Sequence, residues 1–552
     1  MRQKNGLKRF LTLFLSLAMA FTVAFMPQTA YAKTTADVKA VSSVEKDLSG
    51  KTVILHTNDV HGAIDGYAQA AALKYELQAR GAEVILADAG DFSQGTPYVS
   101  TTKGADAVTM MNFAGYDVVT LGNHEFDYGY DQLKANLSRA WFKTICANVL
   151  DKKGNPIYDP TYVFTSKSGL KVGFFGMETP ETQTKVNPAL IKGIKFLAKT
   201  DLYPCAQKQI NDLKAQGCDV VICLSHLGVD EESAPDGHRS VDLYAHTTGI
   251  DMIIDGHSHT VMTAGENGEP VQSTGTKFEN IGVIVIDNAT KKIEKNYLVK
   301  NDDGVVKAPA IEFLAKSITD RVDAEYDVEF AKSEVDLNGK KDPGVRTMET
   351  NLGDLITDAL KWSVLKEGAL KVKDDHVVAI TNGGGIRASI KSGSVTKKDL
   401  NTVLPFGNTV SVVYVSGAEL LEALEASTYS TPGAIGGFPQ VSGIKFTVNT
   451  AVPFAQGEAY PGSTYYKPAA IGRVSIESVN GKPFSLKDKY AVVTNNFCAA
   501  GGDTYYAFAS ASEQFDTGIV MDEAVMEFVK TKLGGVITSK DYGTTNGNIT
   551  IK

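Results

Sequence analysis

Apolar and polar residues follow two different spacings in the first half of the chain. Short apolar runs rich in β-branched residues predict buried strands, and they occupy residues 53–55, 84–86, 118–120, 172–175, 220–224 and 252–254. Between the first two runs, residues 68–79 carry apolar side chains at helical spacing, and Gly81 is placed to end that helix. Strands that alternate with helices predict an α/β layered domain over about residues 51–299.

The pattern changes after residue 305. The segment PAIEFLAKSITDRVDAEYDVEF (309–330) is charged and amphipathic and predicts a helix, and a Gly/Lys/Asp-rich stretch follows at 338–344. Such a combination is typical of a connector between domains. From residue 345 the chain has new strands, helices and glycine-rich turns of its own. We therefore expect a first domain at 45–305, a connector at 306–335 and a second domain at 336–552.

The first 32 residues predict a cleaved signal peptide. Four basic residues (Arg2, Lys4, Lys8 and Arg9) precede an apolar run at 10–26, and Ala30-Tyr31-Ala32 supplies a small-x-small cleavage site. An uncleaved membrane anchor is the alternative. Cleavage predicts a secreted, periplasmic or cell-wall-associated protein that has no membrane span.

Removal of this leader makes the chain more acidic. The formal net charge of −9 loses four positive charges and becomes −13. An acidic product is poorly suited to binding a nucleic-acid polymer, so an anionic substrate must be held by local cations. The five cysteines lack zinc-finger spacing, and a pair between Cys218 and Cys223 is left open.

Five predicted strands are each followed by side chains that can bind metal. The segments are HTNDVHG (56–62), ADAGDFSQG (87–95), LGNHEFD (121–127), SHLG (225–228) and DGHSH (255–259). Apart from His56, which begins the first segment, five of the nine histidines fall in these segments. Loops at one edge of an α/β sheet converge on a shared crevice. The sequence therefore predicts one site built from several loops.

Mixed oxygen and nitrogen ligands without thiolate suit zinc, manganese or cobalt. Two such divalent cations about 3.5–4 Å apart can polarise a phosphoryl oxygen and activate a water molecule between them. We therefore expect two divalent metal ions as cofactors.

The motifs TNDVHG, DAGD, GNHEFD, SHLG and GHSH, in this order, resemble the calcineurin-like metallophosphoesterase domain of the bacterial 5′-nucleotidase family. This resemblance implies a four-layer α/β/β/α first domain and a separate α/β substrate-binding domain. It also implies a set of metal ligands: Asp59, His61 and His259 for the first ion, Asn123, His226 and His257 for the second, and Asp91 as the bridge. His124 would face the phosphate as a catalytic residue, oriented by Asp127.

Each of these residues also has a structural interpretation. Carboxylates and amides at loop starts commonly cap helices or close turns, and Asp127 is placed to cap a helix that starts near Tyr130. Related enzymes can use an amide at the position of His259. We interpret Asp88 as a loop or outer carboxylate, and Glu125 as structural. His56, His238, His246 and His376 are interpreted as surface or core residues.

Four motifs of the second half resemble the substrate-binding domain of the same family: RTMETNLGDL (346–355), ITNGGGIR (380–387), LPFGN (404–408) and NNFCAAGGDTY (495–505). The resemblance implies that Arg346 and Arg387 hold the phosphate and that Phe406 and Phe497 stack on the base. It assigns Asn382 to the base and Asp503 to the ribose. Closure of the two domains, with the connector helix as hinge, is a hypothesis that follows.

The predicted function is hydrolysis of nucleoside 5′-monophosphates. Nucleoside di- and triphosphates and UDP-sugars are further candidate substrates. One alternative is a 2′,3′-cyclic-nucleotide 2′-phosphodiesterase with 3′-nucleotidase activity. Another is a non-catalytic secreted binding protein on the same scaffold, which would be expected to lack a residue such as Asp91 or His124. A monomer and a dimer are both open.

Overall fold

The computed structural model describes residues 36–40, 43–186, 190–230, 233–301, 306–368, 370–461 and 463–552. The predicted signal peptide at 1–32 lies outside these residues. Within them, no helix combines the length and the apolar character that crossing a bilayer requires. The hydrophobic clusters fall into two groups along the chain, one within residues 44–318 and the other within residues 331–549.

The first domain contains fifteen of the described strands, most of them in two sheets. In chain order they are β1 Val38–Lys39, β2 Lys51–Thr57, β3 Glu83–Asp88, β4 Val118–Val119, β5 Lys143–Thr144, β6 Val149–Leu150, β7 Thr161–Thr165, β8 Lys171–Glu178, β9 Lys195–Phe196, β10 Val220–His226, β11 Met252–Ile254, β12 Val261–Met262, β13 Val271–Thr274, β14 Asn280–Asp287 and β15 Lys292–Lys300. One sheet has the order β1-β15-β14-β2-β3-β4-β5 and the other β12-β13-β11-β10-β8-β7.

Eight described α-helices cover these sheets: α1 Gly66–Ala79, α2 Pro97–Ser100, α3 Ala105–Ala114, α4 Tyr130–Leu137, α5 Thr182–Lys185, α6 Leu202–Ala215, α7 Ser240–Ala245 and α8 Pro309–Tyr326. Strand β2 shows how the layers form. Val53 and Leu55 pack in the cluster that contains α1, α3 and α8, whereas Ile54 packs against the second sheet. Successive side chains of a strand point to opposite faces, so the predicted α/β/β/α layering is confirmed.

The central strands of both sheets are parallel, which brings their carboxyl ends to one side. Strands β2, β3 and β4 pair in parallel in the first sheet, and β8, β10 and β11 do so in the second. The motif-bearing loops follow β2, β3, β4, β10 and β11. Five loops therefore start at the same edge of a two-sheet sandwich.

The second domain has its own strands and helices. The strands are β16 Glu329–Ser333, β17 Val377–Asn382, β18 Gly393–Thr396, β19 Thr409–Ser416, β20 Pro439–Ser442, β21 Ile444–Val448, β22 Gln456–Ala459, β23 Tyr466–Pro468, β24 Val474–Val479, β25 Lys482–Pro483, β26 Lys489–Asn495, β27 Glu513–Val520, β28 Val536–Ile537 and β29 Ile549–Ile551. The helices are α9 Asn351–Leu365, α10 Lys397–Val403, α11 Gly417–Ser427, α12 Asn496–Ala499, α13 Tyr506–Ala509, α14 Met521–Thr531 and α15 Ser539–Tyr542. Its main sheet has the order β20-β17-β26-β19-β27.

The connection between the domains differs from the predicted helix at 309–330. Helix α8 ends at Tyr326, and residues from Glu329 form β16, which pairs with β18 and β28 of the second domain. Ile311 and Ile318 of α8 belong to the core of the first domain. A half-exposed strand also alternates apolar and charged side chains. The first residues of β16 therefore continued the amphipathic pattern of the helix. The helix prediction was wrong for its last four residues.

A buried carboxyl pair fastens the end of the chain to α9. Asp354 is 0% exposed, and its Oδ2 accepts a hydrogen bond from the main-chain N of Asn546 at 2.9 Å. Glu349 accepts from the main-chain N of Asn548 and Ile549 at 2.9 and 3.0 Å. Burial, and then the charge of Glu349, raise the pKa of Asp354 to about 8.

This buried acid predicts a pH-dependent stability. Asp354 keeps its proton up to about pH 8 in the folded protein but loses it near its usual pKa of 3.8 when unfolded. The folded state then binds more protons between these values, so this group lowers the free energy of unfolding as pH rises, by up to about 1.4 kcal/mol per pH unit. We expect Asp354→Asn to gain Tm relative to the unsubstituted protein as pH rises from 5 to 8. Glu367→Gln, on an exposed carboxylate just beyond α9, is the control, and a Tm difference independent of pH for Asp354→Asn contradicts the prediction.

Candidate metal centre and substrate cavity

Three groups of side chains at the loop edge could each hold a cation. In each group one nitrogen or oxygen atom per residue lies within 4.8 Å of the others. The groups are Asp59 with His61 and His259, His61 with Asp91 and His124, and Asp59 with Asp91 and His226. They share members, so the described structure brings the motifs of β2, β3, β4, β10 and β11 to one place.

The first predicted ion site has three donors that face a common point. His61 Nε2 lies 3.0 Å from His259 Nε2, which in turn lies 3.4 Å from Asp59 Oδ1. His61 Nδ1 is 3.2 Å from the carbonyl oxygen of Gln94. A carbonyl only accepts hydrogen bonds, so Nδ1 carries the proton and Nε2 is left with a lone pair for a cation.

At the second predicted ion site, His226 has the same arrangement as His61. His226 Nδ1 donates to the carbonyl oxygen of Ala89 at 2.6 Å, which leaves Nε2 beside Asp91 Oδ2 at 3.1 Å. His257 Nδ1 lies 3.0 Å from Asn123 Oδ1, and the rings of His226 and His257 are 5.3 Å apart. Burial would lower the pKa of His226, but Asp91 and Asp59 raise it well above its usual value. Positive charge is therefore favoured at His226, whereas burial lowers the pKa of His61 and of His259.

Asp91 lies between the two sites. Its Oδ2 is 3.8 Å from His61 Nε2 and 3.1 Å from His226 Nε2, and its Oδ1 accepts from the main-chain N of His124 at 2.9 Å. Burial would raise the pKa of Asp91, but the imidazoles of His226 and His124 hold it well below its usual value. An ionised carboxylate between two donor sets is the geometry of a bridging ligand.

The loops that carry these ligands have unusual backbone conformations. The backbone φ is positive at five of them: Asp59 (50°), His61 (44°), Asp91 (64°), His257 (77°) and His259 (56°). Such conformations cost energy in residues other than glycine and cluster at functional sites. Two glycines give the ligands room. A Cβ at Gly122 would lie 2.3 Å from Asp91 Oδ1, and one at Gly256 would lie 2.6 Å from His226 Nδ1. The donor set, the proton positions and the strain together fit a pair of divalent cations with oxygen and nitrogen ligands.

His124 and Asp127 form a hydrogen-bonded pair beside this cluster. His124 Nδ1 lies 2.6 Å from Asp127 Oδ2, and His124 Nε2 lies 3.9 Å from Asp91 Oδ2. Burial would lower the pKa of His124, but Asp127 and Asp91 raise it. Asp127 does not cap α4, because the N-cap residue of that helix is Gly129. The structure therefore gives Asp127 the contact that orients the imidazole.

Two other acids of the motifs support the loops. Glu125 accepts hydrogen bonds from the main-chain N of Asp91, Phe92, Ser93 and Gly122, at 2.7–3.0 Å. Asp88 accepts from Thr57 Oγ1 at 2.5 Å and from the main-chain N of Gly90 at 2.9 Å. Both act on the backbone of ligand-bearing loops, as expected for structural carboxylates.

A cavity of about 660 Å³ joins this cluster to the second domain. All six predicted substrate residues line it: Arg346, Asn382, Arg387, Phe406, Phe497 and Asp503. Phe406 also packs on the ring of His124, with 5.6 Å between centroids, and the guanidinium of Arg387 lies 5.8 Å from the Phe406 ring. Residues of both predicted halves therefore meet in one space.

The two predicted phosphate arginines create a strongly positive region. Burial, and then the charge of Arg346, lower the pKa of Arg387 to about 10. Arg387 therefore remains charged at neutral pH even though it lies in a cationic, largely buried position. Two guanidinium groups brought together in this way are well suited to a doubly charged phosphate.

Asn382 is already engaged by its neighbours. Its Nδ2 donates to Asp503 Oδ2 at 2.8 Å, and its Oδ1 accepts from Asn495 Nδ2 at 3.1 Å. The structure thus gives Asn382 a contact that orients Asp503, and its contact with a base stays a prediction.

All five cysteines are free, so no Cys218–Cys223 bond is present.

Sequence reasoning missed four residues at the site. Lys185, Lys277 and Lys341 line the cavity, and Glu181 contacts His257. Glu181 and Lys185 follow β8, a strand that delivers none of the predicted ligands. No motif marked this loop, because its role depends on which strands are neighbours in the sheet.

Comparisons with known proteins agree with this arrangement. Residues 52–261 match the family model described as calcineurin-like phosphoesterase, and residues 329–510 match that of the 5′-nucleotidase C-terminal domain. The chain is 30% identical to the trifunctional nucleotide phosphoesterase protein YfkN of Bacillus subtilis (strain 168), over 90% of this chain but only 35% of that protein. It is 28% identical to a 5′-nucleotidase of Vibrio vulnificus (strain CMCP6), over 88% of this chain and 91% of that protein.

A solved structure extends the likeness to the fold. The 5′-nucleotidase precursor from Thermus thermophilus superposes with a TM-score of 0.75 and 28% identity, covering 91% of this chain and 99% of that one. The resemblance inferred from the motifs is confirmed for both domains.

The close approach at Gly122 predicts the effect of one added methyl group. Gly122 has φ −108°, which alanine adopts freely, so only the clash with Asp91 and His226 opposes the substitution. We expect Gly122→Ala to stay folded but to bind metal at least about tenfold more weakly, the scale on which disturbed support of ligands acts. Metal analysis after gel filtration measures this. Gly472→Ala, whose nearest neighbour would be 3.3 Å away, is the control. Full metal content in Gly122→Ala would show that the short distance between Gly122 and Asp91 does not affect metal binding.

Proposed function

We propose that this chain, which belongs to the two-domain 5′-nucleotidase family of calcineurin-like phosphoesterases, releases phosphate from nucleoside 5′-monophosphates with two bound divalent cations. The family assignment makes it a phosphate-ester hydrolase that acts on nucleotides. The observation that carries the finer proposal is the shared cavity. It has the metal-binding cluster of one domain at one end and the aromatic and acidic groups of the other domain around it.

The cluster supports a two-ion mechanism. When bound, such cations supply a polarised phosphoryl oxygen and a water activated near neutral pH. Arg346 and Arg387 hold the non-bridging phosphate oxygens through charge-assisted hydrogen bonds. His124 gives a proton to the departing 5′ oxygen or stabilises its charge, and Asp127 keeps the His124 imidazole oriented and protonated at Nδ1.

Residues of the second domain that line the cavity support nucleoside recognition. Phe406 and Phe497 offer flat faces to a base, and base–aromatic stacking does not depend strongly on which base is present. Asp503, held by Asn382 at 2.8 Å, accepts a hydrogen bond from a ribose hydroxyl. Lys277 and Lys341 line the same cavity, and their charges suit the additional phosphates of nucleoside di- and triphosphates or UDP-sugars.

The signal peptide predicted at residues 1–32 is the basis for proposing action outside the cytoplasm. There the enzyme removes the charge that prevents a nucleotide from crossing a membrane, and it releases a nucleoside. We propose a secreted, periplasmic or cell-wall-associated enzyme on this basis.

A substrate panel with added manganese tests the specificity. We expect kcat/KM to be higher for AMP and UMP than for ATP, UDP-glucose and 2′,3′-cyclic AMP. Phe497→Ala should raise the KM for AMP by the equivalent of about 1–3 kcal/mol, the cost of a lost stack, and should change the rate on ribose 5-phosphate little, because that ester has no base. Highest activity on 2′,3′-cyclic AMP would support the alternative phosphodiesterase instead. If Phe497→Ala loses the same activity on AMP and on ribose 5-phosphate, Phe497 does not stack on the base.

Substitutions at Asp91 and His124 separate metal binding from catalysis. Asp91→Ala should lose metal and activity together, because the central carboxylate contacts both donor sets. His124→Ala should keep its metal but lose about a hundredfold or more in kcat, as expected for a lost general acid. Metal content and steady-state rates of the same preparations decide this. If His124→Ala also loses metal, His124 is a ligand and its assigned role is wrong.

A further inference from the structure

Glu181 is a buried carboxylate that no motif predicted. It lies between β8 and α5, directly before Thr182, and is 4% exposed. Strand β8 pairs in parallel with β10, with Glu178 opposite His226. The loop after β8 therefore starts at the same sheet edge as the metal-binding loops, although it supplies none of the predicted ligands.

Both oxygens of Glu181 have defined partners. Oε2 lies 3.1 Å from Nε2 of His257, and Oε1 accepts a hydrogen bond from the hydroxyl of Ser233. These two contacts hold the Glu181 carboxyl group in one orientation.

This contact determines which nitrogen of His257 faces the metal cluster. A carboxylate can only accept, so Nε2 of His257 carries a proton, and the neutral ring has its lone pair on Nδ1. Nδ1 lies 3.0 Å from Oδ1 of Asn123, which is also an acceptor. Two acceptors this close to each other require positive charge beside both of them, either a proton on Nδ1 or a cation. The main-chain N of His257 donates to Asp59 at 3.0 Å, which fixes the backbone but leaves the ring free to rotate.

His257 differs in this respect from two other predicted ligands. The outer nitrogens of His61 and His226 donate to main-chain carbonyls of Gln94 and Ala89. These acceptors are neutral and are part of the loops themselves. The ring of His257 is instead held by a charged side chain from another loop, and a carboxylate partner raises the basicity of a metal-binding imidazole more than a carbonyl does.

We propose that Glu181 is a positioning residue that holds the His257 ring with Nδ1 directed at the cation shared with Asn123 and His226. This inference rests on the proposed two-ion site. Glu181 is not among the residues that line the cavity, and Ser233 keeps its carboxylate in place.

The segment that contains Glu181, residues 181–185, also contacts the second domain. The main-chain N of Asp503 donates to the carbonyl oxygen of Thr184 at 2.6 Å, and Lys185 Nζ lies 4.0 Å from Asp503 Oδ1. Residues 181–185 therefore contact a metal ligand at one end and the predicted ribose acceptor at the other. This arrangement provides a matched comparison, because Lys185→Met removes a charge that acts on both ends of the segment but keeps the hydrogen bond between Glu181 and His257.

Manganese titration of the chelator-treated full-length protein, with the Tm of the metal-free form, tests the proposal. We expect Glu181→Ala to weaken one of the two ions about 10–100-fold and the other by less than about twofold. Glu181→Gln should recover part of the loss, because its amide oxygen still accepts from Nε2. Ser233→Ala should show a smaller loss at the same ion. Lys185→Met should weaken manganese binding much less than Glu181→Ala does, because the hydrogen bond to His257 remains, and should show a raised KM for AMP.

Three results overturn the proposal. In one, Glu181→Ala binds both ions as tightly as the unsubstituted protein. In another, both ions weaken equally and the metal-free Tm falls, which shows a general structural role. In the third, Glu181→Gln is as impaired as Glu181→Ala although it is equally stable. Failure of the two-ion function itself is distinguishable, because the unsubstituted protein would then bind no pair of manganese ions and leave AMP intact.

Discussion

The structure depends on compensation of negative charge that is buried at the edge of two sheets. Asp59 and Asp91 are at most 1% exposed, and Glu125 and Asp127 lie close behind them. Burial would raise the pKa of Asp59, but the imidazoles of His259 and His226 lower it to about 2. Isolated charges in such surroundings are strongly unfavourable. The cluster is stable only with positive charge in its centre, whether protons on imidazoles or, in the proposed enzyme, divalent cations.

Part of that positive charge comes from the second domain. Arg387 acts electrostatically on Asp91, Asp127 and Asp59, so the approach of the domains completes the compensation. Ion pairs and hydrogen bonds also connect the two domains. Lys398 contacts Asp323 at 2.6 Å, and Tyr466 donates to Asp236 at 2.5 Å. Because α8 packs in the first core, a change of domain orientation would bend the chain after Tyr326 and not within the helix. The hinge hypothesis therefore moves to the residues between α8 and β16.

The convergence of the candidate metal ligands could be predicted from the sequence because each of them ends or follows a buried strand at short spacing. Parallel strands then bring those loops together whatever the remaining packing is. Two kinds of feature were not accessible in this way. The end of α8 could not be predicted, because the pattern of residues 327–330 suits a helix and a strand equally well. Glu181 and the contact of Asn382 with Asp503 depend on which elements become neighbours, which spacing along the chain does not encode.

The positive φ angles explain why the ligands lie on loops while the sheets remain regular. A left-handed conformation costs on the order of 1–2 kcal/mol in a residue other than glycine, and five ligands adopt it. Asp and His tolerate it better than apolar residues do, so the residue types that bind the ions are also those that bear the strain. Binding of the proposed cations would offset this cost, whereas the sheets are stabilised by the apolar clusters on both faces. Loss of the ions should therefore loosen the ligand loops first and leave the two-sheet sandwich folded, because the two parts are stabilised by different interactions.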